Sequence, residues 1–322
     1  MAFPDSEYIP AAVVALAVVL DLLWGDPPRW PHPVRLMGFF ITLYERGARA
    51  ISERPGFLRG AGVVLAVGLP LASFVVAAGL IRMGTVWHPW VGFLIAVYLA
   101  YTALALTGLS RAVSQVGVCL AAGDLAAARD AVAHVVGRDP QALDAGQVAG
   151  AAVESAAENA SDGVVAPLFY LALGGPALAL AYKAVNTADS MVGYRGERYA
   201  DFGWAAARLD DLANWIPARI TWLLMTVCAG GLGYSARGAW RTALTDARRH
   251  ASPNAGWPEA AVAGALGVRL GGPAHYRGQL HQRPLLGGDG ALPEAIHVPR
   301  AVRLLRATGV VSAILAVAWA AA

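Results

Sequence analysis

Charge is scarce in this chain. Asp, Glu, Lys and Arg make up 15% of its 322 residues, where a soluble domain carries about a quarter. Apolar residues make up 57% and the mean hydropathy is +0.50, which excludes an average soluble domain. Cysteine is scarcer still. Cys119 and Cys228 stand alone in apolar or amphipathic stretches, so neither a disulfide framework nor a zinc site is supported. No basic run precedes the first apolar segment, so a cleaved signal peptide is not expected. There is no internal repeat, no low-complexity tract and no strand-like alternation. No basic patch is interleaved with aromatics, which removes nucleic acid as a partner. The glycine-rich run Gly264–Gly272 lacks the Lys-Ser/Thr ending of a P-loop.

Long apolar runs are what the chain has in abundance: Tyr8–Leu23, Gly60–Ile81, Trp90–Leu109, Val164–Val185, Ile216–Tyr234 and Leu304–Ala321. Most approach the roughly 20 residues that a helix needs to cross a bilayer. Trp24, Trp87, Trp90 and Trp215 lie at the ends of runs, as in an aromatic belt. The expectation is an all-α, polytopic integral membrane protein with about 4–6 transmembrane or re-entrant helices. It is read as a single membrane domain over 1–322, with an amphipathic helical insertion at 109–162 and a polar, Gly/Pro-rich loop at 235–303. Arg111, Gln115, Asp124, Arg129 and Asp130 punctuate Leu109–Val136 at helical spacing, predicting a hairpin that turns at Gly123-Asp124. A second helix is expected from about Asp144 to Asn159.

Arginines crowd Trp24–Arg59 and Ser235–Arg303. The positive-inside rule places both loops in the cytoplasm, in a multi-pass protein of the inner (cytoplasmic) membrane. Six full crossings would put the polar stretch Asn186–Asn214 outside. Gly174-Gly175-Pro176 breaks the run before it, and a re-entrant pair of half-helices would return Asn186 to the side of Asp162. A simple count of crossings does not satisfy both the charge rule and the clustering of motifs. The clustering is given more weight, with the site facing the cytoplasm.

The polar chemistry starts at Glu154–Asp162. On a helix, steps of four residues advance about 400°, so Glu154, Glu158 and Asp162 share a face. Like charges at that spacing repel by roughly 0.2–0.5 kcal/mol per pair. Water, a nearby Arg or Lys, or a divalent cation would answer them. Further on, Lys183, Asn186 and Ser190 fall on one side of a helix, Arg195 follows Gly193-Tyr194, and Asp210 and Asn214 are four apart beside Asp211. Paired Asp suits Mg²⁺, which takes one or two carboxylates plus substrate phosphates. Lys and Arg suit the phosphates themselves. The plainer alternative pairs Asp210 or Asp211 with Arg208 or Arg219. Asp26-Pro27-Pro28 and Trp30–Arg35 read equally as a proline-shaped elbow, with His32 a structural histidine.

Taken together, six segments resemble one family. They are Asp-Pro-Pro…His-Pro-Val-Arg-Leu-Met-Gly (26–38), Val-Gly-Arg-Asp (136–139), Glu-Ser-Ala-Ala-Glu-Asn-Ala-Ser-Asp-Gly-Val-Val-Ala-Pro-Leu-Phe (154–169), Ala-Val-Asn-Thr-Ala-Asp-Ser-Met-Val-Gly-Tyr (184–194), Ala-Ala-Arg-Leu-Asp-Asp…Asn-Trp-Ile-Pro-Ala-Arg (206–219) and Ser-Pro-Asn-Ala-Gly-Trp-Pro-Glu-Ala (252–260). In this order they resemble the CobD/CbiB family of cobalamin-biosynthesis membrane proteins, adenosylcobinamide-phosphate synthases, from about residue 20 to 290. Ala188, where that family usually has a larger apolar residue, is a mild departure.

The resemblance implies ATP-dependent amide formation between the propionate of adenosylcobyric acid and aminopropanol or its O-phosphate, with ATP and Mg²⁺. On that footing Glu154, Glu158, Asp162, Asp210 and Asp211 are the candidates for metal and acid–base work. Lys183 and Arg195 are candidates for phosphate, and Asn159, Asn186 and Asn214 for positioning. Arg35 and His32 join the substrate set, and Arg249 with His250 could hold a second phosphate or corrin side chains. Association with other cobalamin-pathway proteins stays open. Two other classes also remain: a small-solute transporter, which should show repeat-related halves, and a Mg²⁺-dependent prenyltransferase, which should show two similar Asp-rich motifs.

Overall fold

The computed structural model describes residues 9–26, 30–137, 139–194, 196–276 and 279–322. Among these the chain is helical nearly throughout. It begins with α1 (Ile9–Trp24), α2 (Pro33–Ile51), α3 (Pro55–Trp87), α4 (Pro89–Tyr101), α5 (Leu106–Ala121), α6 (Leu125–Ala133) and α7 (Ala145–Ala160). A π-helical turn (Ser161–Val165) leads into α8 (Ala166–Val192), followed by α9 (Trp204–Ala213), α10 (Trp215–Gly231), α11 (Ala236–Asp246), α12 (Gly256–Leu266) and α13 (His297–Ala320). One antiparallel hairpin pairs β1 (Ala274–Tyr276) with β2 (Gln279–His281). Its strands are 3 residues long, too short to show alternation in the sequence.

Among the described residues, four stretches are long and apolar enough to cross a membrane: Pro55–Trp87, Pro89–Ala121, Ala145–Val192 and His297–Ala320. Trp204–Ala213 and Trp215–Gly231, bent by 47°, make a fifth if they count as one span. This is the helix set of an all-α, multi-pass membrane protein. α3 shows it most directly. Val64, Val67, Leu71, Val75 and Val76 are all exposed, and only 17% of its most apolar window is buried. Such a surface is stable against lipid and costly against water, at about 25 cal/mol per Å².

The chain forms two compact units. The first comprises Met1–Ala105, Ala166–Asn214 and Ala313–Ala322. Its core joins Ile41 and Ala48 of α2, Leu58, Leu65 and Ala66 of α3, Ala188 and Val192 of α8, and Phe202 and Ala206 around α9. Gly62 lets α3 approach this core, since a Cβ there would lie 2.0 Å from the Phe202 carbonyl oxygen. α8 is broken where Gly-Gly-Pro predicts it: Gly174 (φ −150°, ψ 22°) and Gly175 (φ 69°, ψ −168°) leave helical geometry ahead of Pro176. Much of the Trp24–Arg59 segment, read from its arginines as a loop, is the helix α2. His32 caps it, accepting from the Val34 N–H at 3.3 Å.

The second unit comprises Leu106–Val165 and Trp215–Ser312. α5 and α6 turn at Gly123, which has φ +75°, and Asp124 caps α6 by accepting from the Ala127 N–H at 2.9 Å. α7 opens with a reciprocal capping box between Asp144 and Gln147, of the kind that satisfies two otherwise orphaned donors. The 235–303 stretch is more helical than its Gly and Pro content suggests, because glycine there serves packing. Gly238 of α11 and Gly264 of α12 face each other so closely that a Cβ on either would lie 2.2 Å from the other's carbonyl oxygen. Trp222 of α10 packs against Trp240 and Trp257, with ring centroids 4.7 and 4.9 Å away.

Candidate functional site

The first unit carries a polar network on α8 and α9. The Tyr182 hydroxyl donates to the Asn214 side-chain oxygen at 2.8 Å, and the Asn214 amide donates to Asp210 Oδ2 at 2.9 Å. Asp210 Oδ1 accepts from the Asn186 amide at 3.4 Å. The Asn186 oxygen accepts from Lys183 Nζ at 3.3 Å. Tyr170 stacks on Tyr182 at 4.9 Å and donates to the Ala213 carbonyl at 2.8 Å. Asp210, Asn214 and Tyr182 are buried, where unmet hydrogen bonds would cost about 1–3 kcal/mol each.

Lys183 has a wider electrostatic reach. Asp26, just past α1, pairs with His32 at 3.1 Å. The hydrogen bond from His32 holds its carboxyl below the usual carboxylate range, with the charges of His32, Arg35 and Lys183 adding to the effect against the opposing effect of burial. His32, Arg35 and Lys183 therefore bear on one carboxylate. Of the 25 Lys and Arg residues in the chain, Lys183 is the single lysine. Asp211 lies at the fringe, 3.8 Å from Arg208. That is the plainer pairing the sequence allowed. Arg195 lies outside the described residues, as do Pro27, Pro28 and Arg138.

The second unit carries a separate charge cluster. Arg283 donates to Glu154 Oε2 at 2.7 Å and to Glu259 Oε2 at 3.3 Å. Glu154 Oε1 accepts from the Gly271 N–H at 2.7 Å. His250 Nε2 lies 3.7 Å from Glu259 Oε1, and its Nδ1 accepts from the Ser252 N–H at 3.1 Å. Glu154 and Glu259 are buried, and excellent pairing is what makes buried charge tolerable. Arg249 turns aside to Asp246 at 3.3 Å.

The three acids of the 154–162 stretch meet different surroundings. Glu154 is buried, Glu158 exposed and Asp162 partly buried. Asp162 lies in the π turn, whose wider winding changes the angular step from Glu158. The counter-charge of Glu154 is Arg283, one of the answers left open by the sequence. Asn159 donates to the Ser155 carbonyl at 2.9 Å and to its hydroxyl at 3.2 Å. Among the described residues, no three or more His, Cys, Asp or Glu side chains gather as a metal cage.

Sequence reasoning missed Arg283, Glu259 and Gly271 as members of a cluster. Glu259 had a signal, being the one acid in the apolar helix Gly-Trp-Pro-Glu-Ala-Ala-Val-Ala-Gly-Ala-Leu. Lys183 had a stronger one in its singularity.

Comparison with known families matches residues 14–305 to the family described as CobD/Cbib protein. The chain belongs to the CobD/CbiB family. Among its CobD/CbiB relatives, the cobalamin biosynthesis protein CobD of Geobacter metallireducens is 50% identical over 281 residues, 86% of each chain. CobD of Klebsiella pneumoniae subsp. pneumoniae is 46% identical over 292 residues, 90% of this chain and 91% of its own. Cobalamin biosynthesis protein CbiB of Salmonella choleraesuis is 43% identical over 290 residues, 90% and 91% of the two chains. No solved structure matches this CobD/CbiB chain.

Proposed function

We propose that this member of the CobD/CbiB family acts in cobalamin biosynthesis as an adenosylcobinamide-phosphate synthase. It joins aminopropanol or its O-phosphate to the propionate of adenosylcobyric acid in an ATP-dependent amide ligation. One observation carries the reading: Asn186, Asp210 and Asn214, from two motifs of the resemblance, meet in one hydrogen-bonded network beside the chain's single lysine.

A carboxylate acylates poorly. Attack of the propionate oxygen on the γ-phosphorus of ATP releases ADP and leaves an acyl phosphate. The amine then attacks the acyl carbon, phosphate departs with its electron pair, and the surplus ammonium proton passes to a base. Lys183, with Arg195, neutralises charge on the transferring phosphoryl group. Asn186 and Asn214 fix the direction of the Asp210 carboxylate.

The donor set fits Mg²⁺. An ion that keeps several waters and shares substrate phosphates needs one or two protein carboxylates, and the adjacent Asp210 and Asp211 supply them. Bound there with nucleotide, Mg²⁺ would offset phosphate charge. Glu154 is ion-paired with Arg283, whereas the two amides on Asp210 are neutral. It also accepts from the Gly271 N–H, so its role in this reading is to position the segment around Gly271. Glu158 and Asp162 stay candidates for acid–base work, as the resemblance implies. Arg35 and His32 act through Asp26, and His250 through Glu259 and Arg283. Arg249 stays a candidate for a second phosphate. The motif loops face the cytoplasm, where ATP is supplied.

The test is direct. Purified protein, adenosylcobyric acid, aminopropanol phosphate, ATP and Mg²⁺ are combined, and products are read by mass spectrometry. Amide product with matching ADP is expected. Solute flux or diphosphate release without amide would replace this reading by the transporter or the prenyltransferase.

A further inference from the structure

α2 has two apolar faces. Met37, Ile41 and Ala48 are buried in the first unit. Leu36, Phe39, Phe40, Leu43 and Ile51 are exposed, Phe39 by 61% and Leu43 by 55%. Their spacing makes a second helical stripe, pointing away from the protein. With Arg35, Glu45, Arg46 and Arg49, the helix is too charged to cross a bilayer. It follows Trp24 and Trp30, both exposed, the residue type that gathers at the membrane–water interface. An outward apolar stripe on a basic helix is the pattern of a helix lying in that interface.

Beside the stripe lies a cavity of about 370 Å³ lined by Gly38, Phe39, Thr42, Leu43, Arg46 and Met191. Gly38 keeps it open: a Cβ there would sit 3.4 Å from Met191 Sδ, so a longer side chain would fill the space. The Thr42 hydroxyl is turned to the Gly38 carbonyl at 2.9 Å. Arg46 is the charged residue of the lining and is exposed. Its neighbour Arg49 is engaged by Glu45 and the Arg198 carbonyl.

We propose that this cavity holds an acyl chain of an anionic phospholipid drawn from the bilayer, with the lipid phosphate bound by Arg46. Charge complementarity selects the occupant. A guanidinium matches phosphate oxygens in a fork geometry, and the apolar walls match methylenes that continue onto the exposed stripe. A second copy of the chain, docked symmetrically, would bring the same arginine toward itself.

The experiment titrates full-length protein in neutral detergent with phosphatidylglycerol or with phosphatidylcholine of the same acyl chains. Bound lipid is counted by native mass spectrometry. The expected result is one phosphatidylglycerol per chain, bound at least about tenfold tighter than phosphatidylcholine. Arg46→Gln lowers phosphatidylglycerol affinity by about tenfold, as loss of a charge-assisted hydrogen bond implies, and Arg46→Lys restores part of it. Gly38→Leu lowers affinity for both lipids. Equal affinity for the two lipids in the unaltered protein overturns the proposal, as does unchanged phosphatidylglycerol affinity in Arg46→Gln, even if Gly38→Leu does not fold. Conversion of a dimer to a monomer by Arg46→Gln with lipid binding intact also overturns it, in favour of a second copy.

Discussion

Asn214 steadies Asp210 from one helical turn away. Its amide donates to the carboxylate at 2.9 Å while its own oxygen accepts from the Tyr182 hydroxyl at 2.8 Å. The relay fixes the amide's orientation, because a flipped Asn214 would turn its oxygen toward the carboxylate and its N–H groups toward the hydroxyl. Asp210 is thus held from the protein side in a defined direction.

Asp210→Asn is nearly isosteric and keeps an oxygen for Asn214. Turnover should fall at least about a hundredfold, the scale of a lost acid–base or electrostatic group, while membrane insertion is unchanged. Near-normal turnover at limiting Mg²⁺ would remove Asp210 from the proposed metal site.

Lys183→Met should raise the apparent KM for ATP or for the amine phosphate by about tenfold or more, since one charge-assisted hydrogen bond is lost. The single lysine permits a second readout. An amine-selective reagent can modify Lys183 and no other lysine side chain, and bound nucleotide should slow that modification. Unchanged KM values together with no protection would make Lys183 a structural partner of the Asp26 and Asn186 groups.

Arg283→Met removes the guanidinium that Glu154 and Glu259 share in the interior, leaving the Gly271 N–H to one and His250 to the other. Breaking a buried pair in this way costs about 3–5 kcal/mol, so denaturant unfolding in detergent should show a loss of that order. Arg283→Lys should recover only part, because an ammonium does not present the fork that reaches both acids. A loss below about 1 kcal/mol would mean that water already reaches the cluster.

Gly175→Ala should destabilise by about 1–3 kcal/mol, because φ 69° with ψ −168° is a region essentially reserved for glycine. Gly68 lies within α3 and meets nothing within 4 Å of an added Cβ, so Gly68→Ala serves as the control and should be neutral or stabilising by up to about 1 kcal/mol. Equal thermal midpoints for the two variants would contradict the strain argument.

Cysteines placed at Ser190 and Ala251, both exposed, test the cytoplasmic assignment once the buried Cys119 and Cys228 are replaced. Both should resist an impermeant thiol reagent in intact cells and react after permeabilisation. Labelling of either from outside would reverse the orientation proposed for its loop.

What the sequence reveals here is what local chemistry determines. Gly174-Gly175-Pro176 announces its own break, Asp144 its cap, and Asp210 with Asn214 their shared face, since each depends on residues a turn or less apart. Arg283 is different. It reaches Glu154 across 129 positions, and no periodicity encodes that meeting. The π turn at Ser161–Val165 escapes notice because its residues would suit an ordinary helix equally well. α2 is hidden by its arginines, which break up the apolar count although the residues between them keep helical spacing. The polar network of the first unit was legible as parts, but its order along the hydrogen bonds was not.

The two units are interleaved along the chain, with boundaries after Ala105, Val165, Asn214 and Ser312. Neither is a continuous segment, so no single cut of the polypeptide liberates a whole one. During synthesis, the earliest helices must wait in the membrane for partners made much later. α13 closes both, giving its first turns to the second unit and its last to the first. A ribosome stalled before His297 would therefore leave both units short of the turns that α13 supplies.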